Sequence, residues 1–286
     1  MYGLYGISHN VCNIYKLSAR FRNDAAVTTA NELKPYYLHF IDHYYQNPPI
    51  NHRGPIFIQN TSQARELLKY YSASLLNDLS QDEIVGQLYT DSKLALANQR
   101  IQNALDDLTT LDRELSQLFN LVIHSIVVSD SNNNKNGQTA HGGSTSNLIG
   151  LIWLTLNKNL SDQDICELLI HELTHTLVFI DELNFGHFDY ENIAKKEFWA
   201  RSTILNRPRP IDKVLHSIVV GTEILHARHT FLQNTDKLRV HPDTATLKAN
   251  ALASIDSVLN LRHLQNVCLP RAIEIIEKSR DYLKKM

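Results

Sequence analysis

Cysteine is scarce. Cys12, Cys166 and Cys268 are odd in number and lie far apart. They exclude a disulfide framework, and a reducing compartment is the simpler setting. Excess charge is missing too: 28 Lys and Arg stand against 30 Asp and Glu, a formal net charge of −2. Nothing in that balance attracts a nucleic acid or an anionic membrane surface. No apolar run reaches the roughly 20 residues that a bilayer requires. The opening residues, MYGLYGISHN, lack the charged-then-apolar pattern of an export signal. These absences predict a cytoplasmic protein with no nucleic-acid or membrane partner. They weigh mildly against a secreted protease.

The chain of 286 residues is long enough to bury a good core. No repeat or interdomain linker divides it, so a single domain over 1–286 is expected. A mostly helical N-terminal part covers 1–119, the site core covers 120–232, and C-terminal helices cover 233–286. Residues 32–45 predict a helix whose aromatic face, Tyr36, Tyr37, Phe40 and Tyr44, packs the core. Residues 61–76 predict another, capped by Thr61 or Ser62. Ser80-Gln-Asp-Glu83 has the capping-box pattern and opens a helix towards Asp91. Leucines at 94, 96, 105, 108, 111, 115 and 118 give residues 91–119 the spacing of an amphipathic helix. Then the character changes. Residues 121–128 and 148–156 are short and apolar and predict two strands that pair across a polar, Asn-rich loop at 129–137. Two prolines make residues 206–210 extended. Helices are expected over 211–232 and, broken near Pro270, over 244–285. The sum is α+β, mainly α with a small β-sheet.

One stretch organises the rest: Glu167-Leu-Leu-Ile-His171-Glu172-Leu-Thr-His175-Thr-Leu-Val-Phe-Ile. It has no Gly or Pro and is rich in aliphatics, which predicts a buried helix opened by Ser161, Asp162 and Asp164. The i, i+4 spacing stacks the His171 and His175 rings on one face, where both can bind one metal ion. Glu172 projects beside that face. Burying two histidines and a glutamate among aliphatics is costly unless something pairs with them, which favours a metal over a satisfied core pair. A His-Glu-x-x-His helix beside a strand pair is zincin-like and does not by itself choose a chemistry.

Two histidines hold a catalytic metal poorly, and the third ligand selects the reaction. The long metzincin motif needs Gly at 178 and His at 181, where this chain has Val178 and Asp181. Asp181 is itself a potential ligand, although Val178 cannot turn the chain as glycine does. Glu197 lies at the distance used by thermolysin-like peptidases, but Lys195-Lys196-Glu197-Phe198 reads as a solvated helix edge. His216, flanked by Val214, Leu215, Ile218 and Val219, is the remaining candidate on a later helix.

Several stretches in order carry a resemblance. They are Gly142-Gly-Ser-Thr-Ser146, an apolar strand, the His-Glu-x-x-His helix, Trp199-Ala-Arg201, Pro208-Arg-Pro210 and Val214-Leu-His216. Over about residues 120 to 232 the chain resembles the α-ketoglutarate-dependent HExxH-type peptide β-hydroxylases, which modify ribosomally made peptides. It departs at Arg207, where the family has Asp, and at Ser217, where the family has Gly. The resemblance implies a mononuclear Fe(II) held by His171, His175 and His216, with α-ketoglutarate (2-oxoglutarate) and O₂ as cosubstrates. It implies hydroxylation of a side-chain β-carbon in a ribosomal precursor peptide, with succinate as co-product. The far carboxylate of α-ketoglutarate calls for a bidentate cation, for which Arg201 and Arg209 are the candidates. Ser144 and Ser146 either donate hydrogen bonds to cosubstrate or peptide, or only shape their turn. Glu172 is then not needed as a base and is available to hydrogen-bond a ligand or metal-bound water. The alternative is a zinc metallopeptidase with Glu172 as general base. A third reading is a non-catalytic peptide-binding protein stapled by a metal.

Overall fold

The computed structural model describes residues 1–22, 26–52, 56–71, 85–131, 140–232 and 238–286. Helix α1 (Tyr2–Leu17) bends at Gly6, whose φ of +74° suits glycine. Helix α2 (Ala30–Tyr44) starts at a capping box between Thr29 and Glu32; of its expected aromatic face it buries Tyr37 and Phe40, while Tyr36 is half-buried and Tyr44 is exposed rather than packed in the core. Helix α3 (Thr61–Leu68) is capped by Asn60, one residue before the expected cap. The Ser80–Glu83 capping box lies outside the described residues. Strand β1 (Val85–Leu88) replaces the helix expected before Asp91. Four residues with a glycine among them are too short a run for periodicity to identify. The long helix expected over 91–119 is two, α4 (Asp91–Leu111) and α5 (Arg113–Val122). Asp112 leaves the helical region and its carboxylate caps α5 by accepting from Leu115 N–H.

Strand β2 (Ser125–Ser131) begins four residues later than expected, because Leu121 and Val122 finish α5. Strands β3 (Gly142–Ser144) and β4 (Leu151–Leu154) complete a mixed sheet of order β1-β2-β4-β3. The two strands expected from sequence do pair, and they are parallel, with Ser125 opposite Leu151 and Val128 opposite Leu154. Strand β3, read in sequence only as a polar motif, runs antiparallel to β4 at the sheet edge. Helix α4 packs on β2, and helix α6 (Asp162–Phe185) packs on β3. Strands β5 (Trp199–Arg201) and β6 (Pro208–Pro210) form a separate hairpin, consistent with the extended reading of the prolines. Helices α7 (Ile211–Ala227), α8 (Thr244–Leu259) and α9 (Pro270–Lys285) complete the α+β fold. None of the described helices is long and apolar enough to cross a membrane.

Helix α6 is the axis of the molecule. A capping box between Ser161 and Asp164 opens it, and it runs on to Phe185, past the apolar stretch that ends at Ile180. It touches α1, α4, α7 and β3 and is buried on nearly every face. Asp181, fully buried near its end, accepts hydrogen bonds from Arg271 at 2.7 and 2.8 Å and from Asn13 at 3.1 Å. His187 and His9 approach the same carboxylate at 2.9 and 3.1 Å. Burial pushes Asp181 up, but Arg271 and His187 more than offset it and hold the group well below the usual carboxylate range. Asp181→Asn is expected to cost about 3 kcal/mol at neutral pH, the lower end for a broken buried pair, because Glu274 also holds Arg271. A depressed folded-state pKa stabilises fully above the unfolded value near 4, and that contribution fades as pH falls below it. Urea unfolding from pH 7 down to 3 should therefore show the gap between wild type and variant narrowing below about pH 4.

Candidate metal and ligand site

The i, i+4 spacing on α6 brings His171 and His175 together, with their Nε2 atoms 3.1 Å apart. Two nitrogens held about 2.1 Å from one ion at angles of about 90–110° lie about 3.0–3.4 Å apart, so this pair fits a shared metal. The next ring on the far side is His216, from the first turns of α7, whose Nδ1 lies 2.8 Å from Nδ1 of His175. It also packs against Phe179, with ring centroids 4.6 Å apart. His216 thus joins the pair, but through the nitrogen of His175 that faces away from His171. As the rings stand, no group of three His, Cys, Asp or Glu side chains among the described residues converges on one point. Nε2 of His216 makes no hydrogen bond among the described residues, and the ring borders the cavity. Burial holds His171, His175 and His216 far below the usual imidazole range. Neighbouring His241 adds to the effect on His171, and Lys213 on His216. All three rings are neutral, the state in which imidazole binds a metal.

The rings open onto a cavity of about 310 Å³. His141, Gly142, Gly143 and Ser144 form its sheet-edge wall, and Ser202, Ile204 and Leu205 its hairpin wall. Arg209, on β6, and Lys213, one turn before His216, bring positive charge to the same space. Arg209 is 7% exposed, and its charge is felt by His175 and His216. Arg201 lies elsewhere. It is exposed on β5, and its Nε donates to Asn206 Oδ1 at 2.5 Å. Ser146 is exposed and off the cavity wall, where its carbonyl accepts from the Tyr45 hydroxyl. Of the two arginines and two serines singled out by sequence, Arg209 and Ser144 face the cavity. Glu197 is exposed on a short turn, and Asp181 is committed to Arg271, so neither stands beside the histidine pair.

Glu172 points at the sheet. Ser144 Oγ lies 2.7 Å from its Oε2, and burial pushes its carboxyl up to about 8 against the opposing effect of that hydrogen bond. The site needs Gly142 here: a Cβ on that residue would sit 2.8 Å from Glu172 Oε1. Ser217 is buried. Its Oγ accepts from Thr203 N–H at 3.0 Å and donates to the Val214 carbonyl, tying the hairpin wall to α7.

Sequence reasoning missed His241, Glu167 and Lys213. Glu167 precedes His171 by four residues and Lys213 precedes His216 by three, so helical spacing already placed them on the ligand faces. His241 had no such signal, since it sits between Val240 and Pro242 in a segment with no periodicity. No known protein-family model matches the chain, and no curated protein is similar to it. Removing the Ser144 hydroxyl deletes a bond that favours ionised Glu172. In metal-free Ser144→Ala, the Glu172 carboxyl should therefore titrate at higher pH than in the wild type, as read by ¹³C NMR. An unchanged or lower titration would show that the hydroxyl does not hold the carboxylate.

Proposed function

We propose that this protein is a non-haem Fe(II)/α-ketoglutarate-dependent oxygenase that hydroxylates a side-chain carbon of a ribosomally made peptide. The observation that carries the reading is the company the histidines keep. One cavity wall joins the His171–His175 pair, His216 and the buried guanidinium of Arg209. His171, His175 and His216 would hold the metal, on a zincin-like helix beside a sheet edge. His216 is assigned by its place beside the pair and by an Nε2 without a hydrogen bond among the described residues, not by its present bond to His175. When bound, iron with α-ketoglutarate and O₂ supplies the oxidising power to hydroxylate an unactivated carbon.

The chain's own residues do the rest. Arg209 presents a planar, bidentate donor suited to the far carboxylate of α-ketoglutarate. Lys213 adds a second cation at the same end. Leu168, Phe179 and Val220 keep the space apolar and limit water. Glu172, held at Ser144, stands ready to hydrogen-bond a ligand rather than to take a proton from water. The cytoplasmic location and peptide partner belong to this same reading. A zinc metallopeptidase is the second reading, favoured by the position of Glu172 on the cavity wall.

Anaerobically iron-loaded protein should convert α-ketoglutarate to succinate only when O₂ is admitted. Arg209→Lys should raise the α-ketoglutarate concentration required by roughly ten- to a hundredfold while sparing metal content. Arg201→Lys should change neither. Glu172→Gln should still bind iron and form succinate, with at most a ten- to hundredfold loss of the kind that groups beside metal ligands cause. Peptide cleavage by the wild type that disappears in Glu172→Gln, with no succinate from either protein, would make the protein a protease.

A further inference from the structure

Behind His171, away from His175, runs a buried relay that the chemistry above does not use. Nδ1 of His171 lies 2.9 Å from Nε2 of His241. Nδ1 of His241 lies 3.0 Å from Oε2 of Glu167. Glu167 is clamped by Arg228 through two bonds of 2.7 and 2.8 Å. Glu167 and His241 are fully buried at the side chain, and Arg228 is 1% exposed.

Proton counting fixes the direction of this chain. Arg228 donates to both Glu167 oxygens, the bidentate pairing of a guanidinium with a carboxylate, so in the contact with His241 the Glu167 oxygen accepts. The proton between Glu167 and His241 therefore sits on His241 Nδ1. Arg228 already balances the Glu167 charge. A second proton on His241 would leave an uncompensated charge in the interior, which is costly. His241 is therefore neutral and its Nε2 is bare. His171 must supply the hydrogen of the 2.9 Å contact from its Nδ1, and its Nε2 carries the lone pair.

We infer that His241, locked by Glu167 and Arg228, is a positioning residue that fixes His171 in the tautomer whose Nε2 is free to bind a metal. The consequence for metal binding rests on the metal-centre reading, but the tautomer does not. Asp164 reinforces the arrangement by accepting from the backbone N–H groups of Arg239 and Val240, which anchors the segment that carries His241. His216 differs in kind, because it leans on His175 but nothing among the described residues holds its other nitrogen.

The test is long-range ¹⁵N–¹H NMR of histidine-labelled, metal-free protein at pH 8, combined with Zn²⁺ and Co²⁺ binding by calorimetry. His171 in the wild type should be the Nδ1–H tautomer. His241→Gln keeps an acceptor and a donor and should preserve both the tautomer and the affinity. His241→Phe keeps the bulk without the nitrogens. It should lose the tautomer preference and bind metal about ten- to a hundredfold more weakly, with wild-type metal stoichiometry at saturation. An Nε2–H tautomer of His171 in the wild type overturns the proposal even if His241→Phe fails to fold. So does His241→Phe with wild-type affinity and tautomer. A wild type with the Nδ1–H tautomer that binds neither ion would instead retire the metal centre and leave the relay standing.

Discussion

A helix buried on nearly every side must find a partner inside the protein for each polar group it buries. Helix α6 is such a helix, and it buries Asp164, Glu167, Glu172 and Asp181 along with its aliphatics. Each acid is met from outside the helix. Asp164 takes the backbone of Arg239 and Val240, and Glu167 takes Arg228 and His241. Glu172 takes Ser144 on the sheet edge, and Asp181 takes Arg271 on α9 together with Asn13 on α1. A buried acid left without a partner is costly, most of all when ionised as Asp164, Glu167 and Asp181 are, so these four contacts help fix where the surrounding elements sit.

This constraint explains which features could be read from the sequence. Local rules were enough for α6, α8 and α9. Ser161 followed by Asp164 announces a start, unbroken apolar spacing announces a run, and Pro270 announces a new first turn. They were also enough to place His171 and His175 on one face. Local rules failed where a long-range partner overrides them. Asp112 breaks an otherwise continuous leucine pattern because its carboxylate is spent on capping. Helix α6 continues past the apolar stretch through Asp181 to Phe185, where Arg271, 90 residues away, neutralises the buried acid. Strand β3 is three residues of Gly, Gly and Ser, with neither propensity nor periodicity. It is a strand because β4 is beside it, and Gly142 leaves the Glu172 carboxyl the space it occupies.

The candidate site divides along the same line. Arg201 and Arg209 were indistinguishable in sequence, two residues of one type in two similar contexts. Pairing of β5 with β6 separates them, because Ala200 and Arg209 face each other and both are buried, while Arg201 pairs with Pro208 at the loop end of the hairpin and is exposed. Ser144 and Ser146 are separated in the same way, since the strand ends at Ser144 and only that hydroxyl reaches α6. Register, rather than residue type, made these distinctions, and a single sequence carries little information about register in three-residue strands.

The row of four imidazoles contains an asymmetry that the sequence could not have shown. His241, His171, His175 and His216 are joined end to end through contacts of 2.9, 3.1 and 2.8 Å. The two inner rings meet through Nε2, and each leans on an outer ring through Nδ1. By distance alone the outer rings are equivalent. By attachment they are not. His241 has both nitrogens engaged and is tied to a clamped carboxylate, so turning it would strand Glu167 and Arg228. His216, a cavity-lining ring, has one nitrogen engaged and no hydrogen bond at the other among the described residues, so turning it breaks a single imidazole–imidazole bond. That bond is worth only about 1 kcal/mol net, far less than a coordinate bond to a transition metal returns. An ion arriving at the His171–His175 pair would therefore recruit His216 and leave His241 in place. Of two histidines at the same distance from the motif, the one with fewer hydrogen bonds is the better third ligand, and the one with more is the better support.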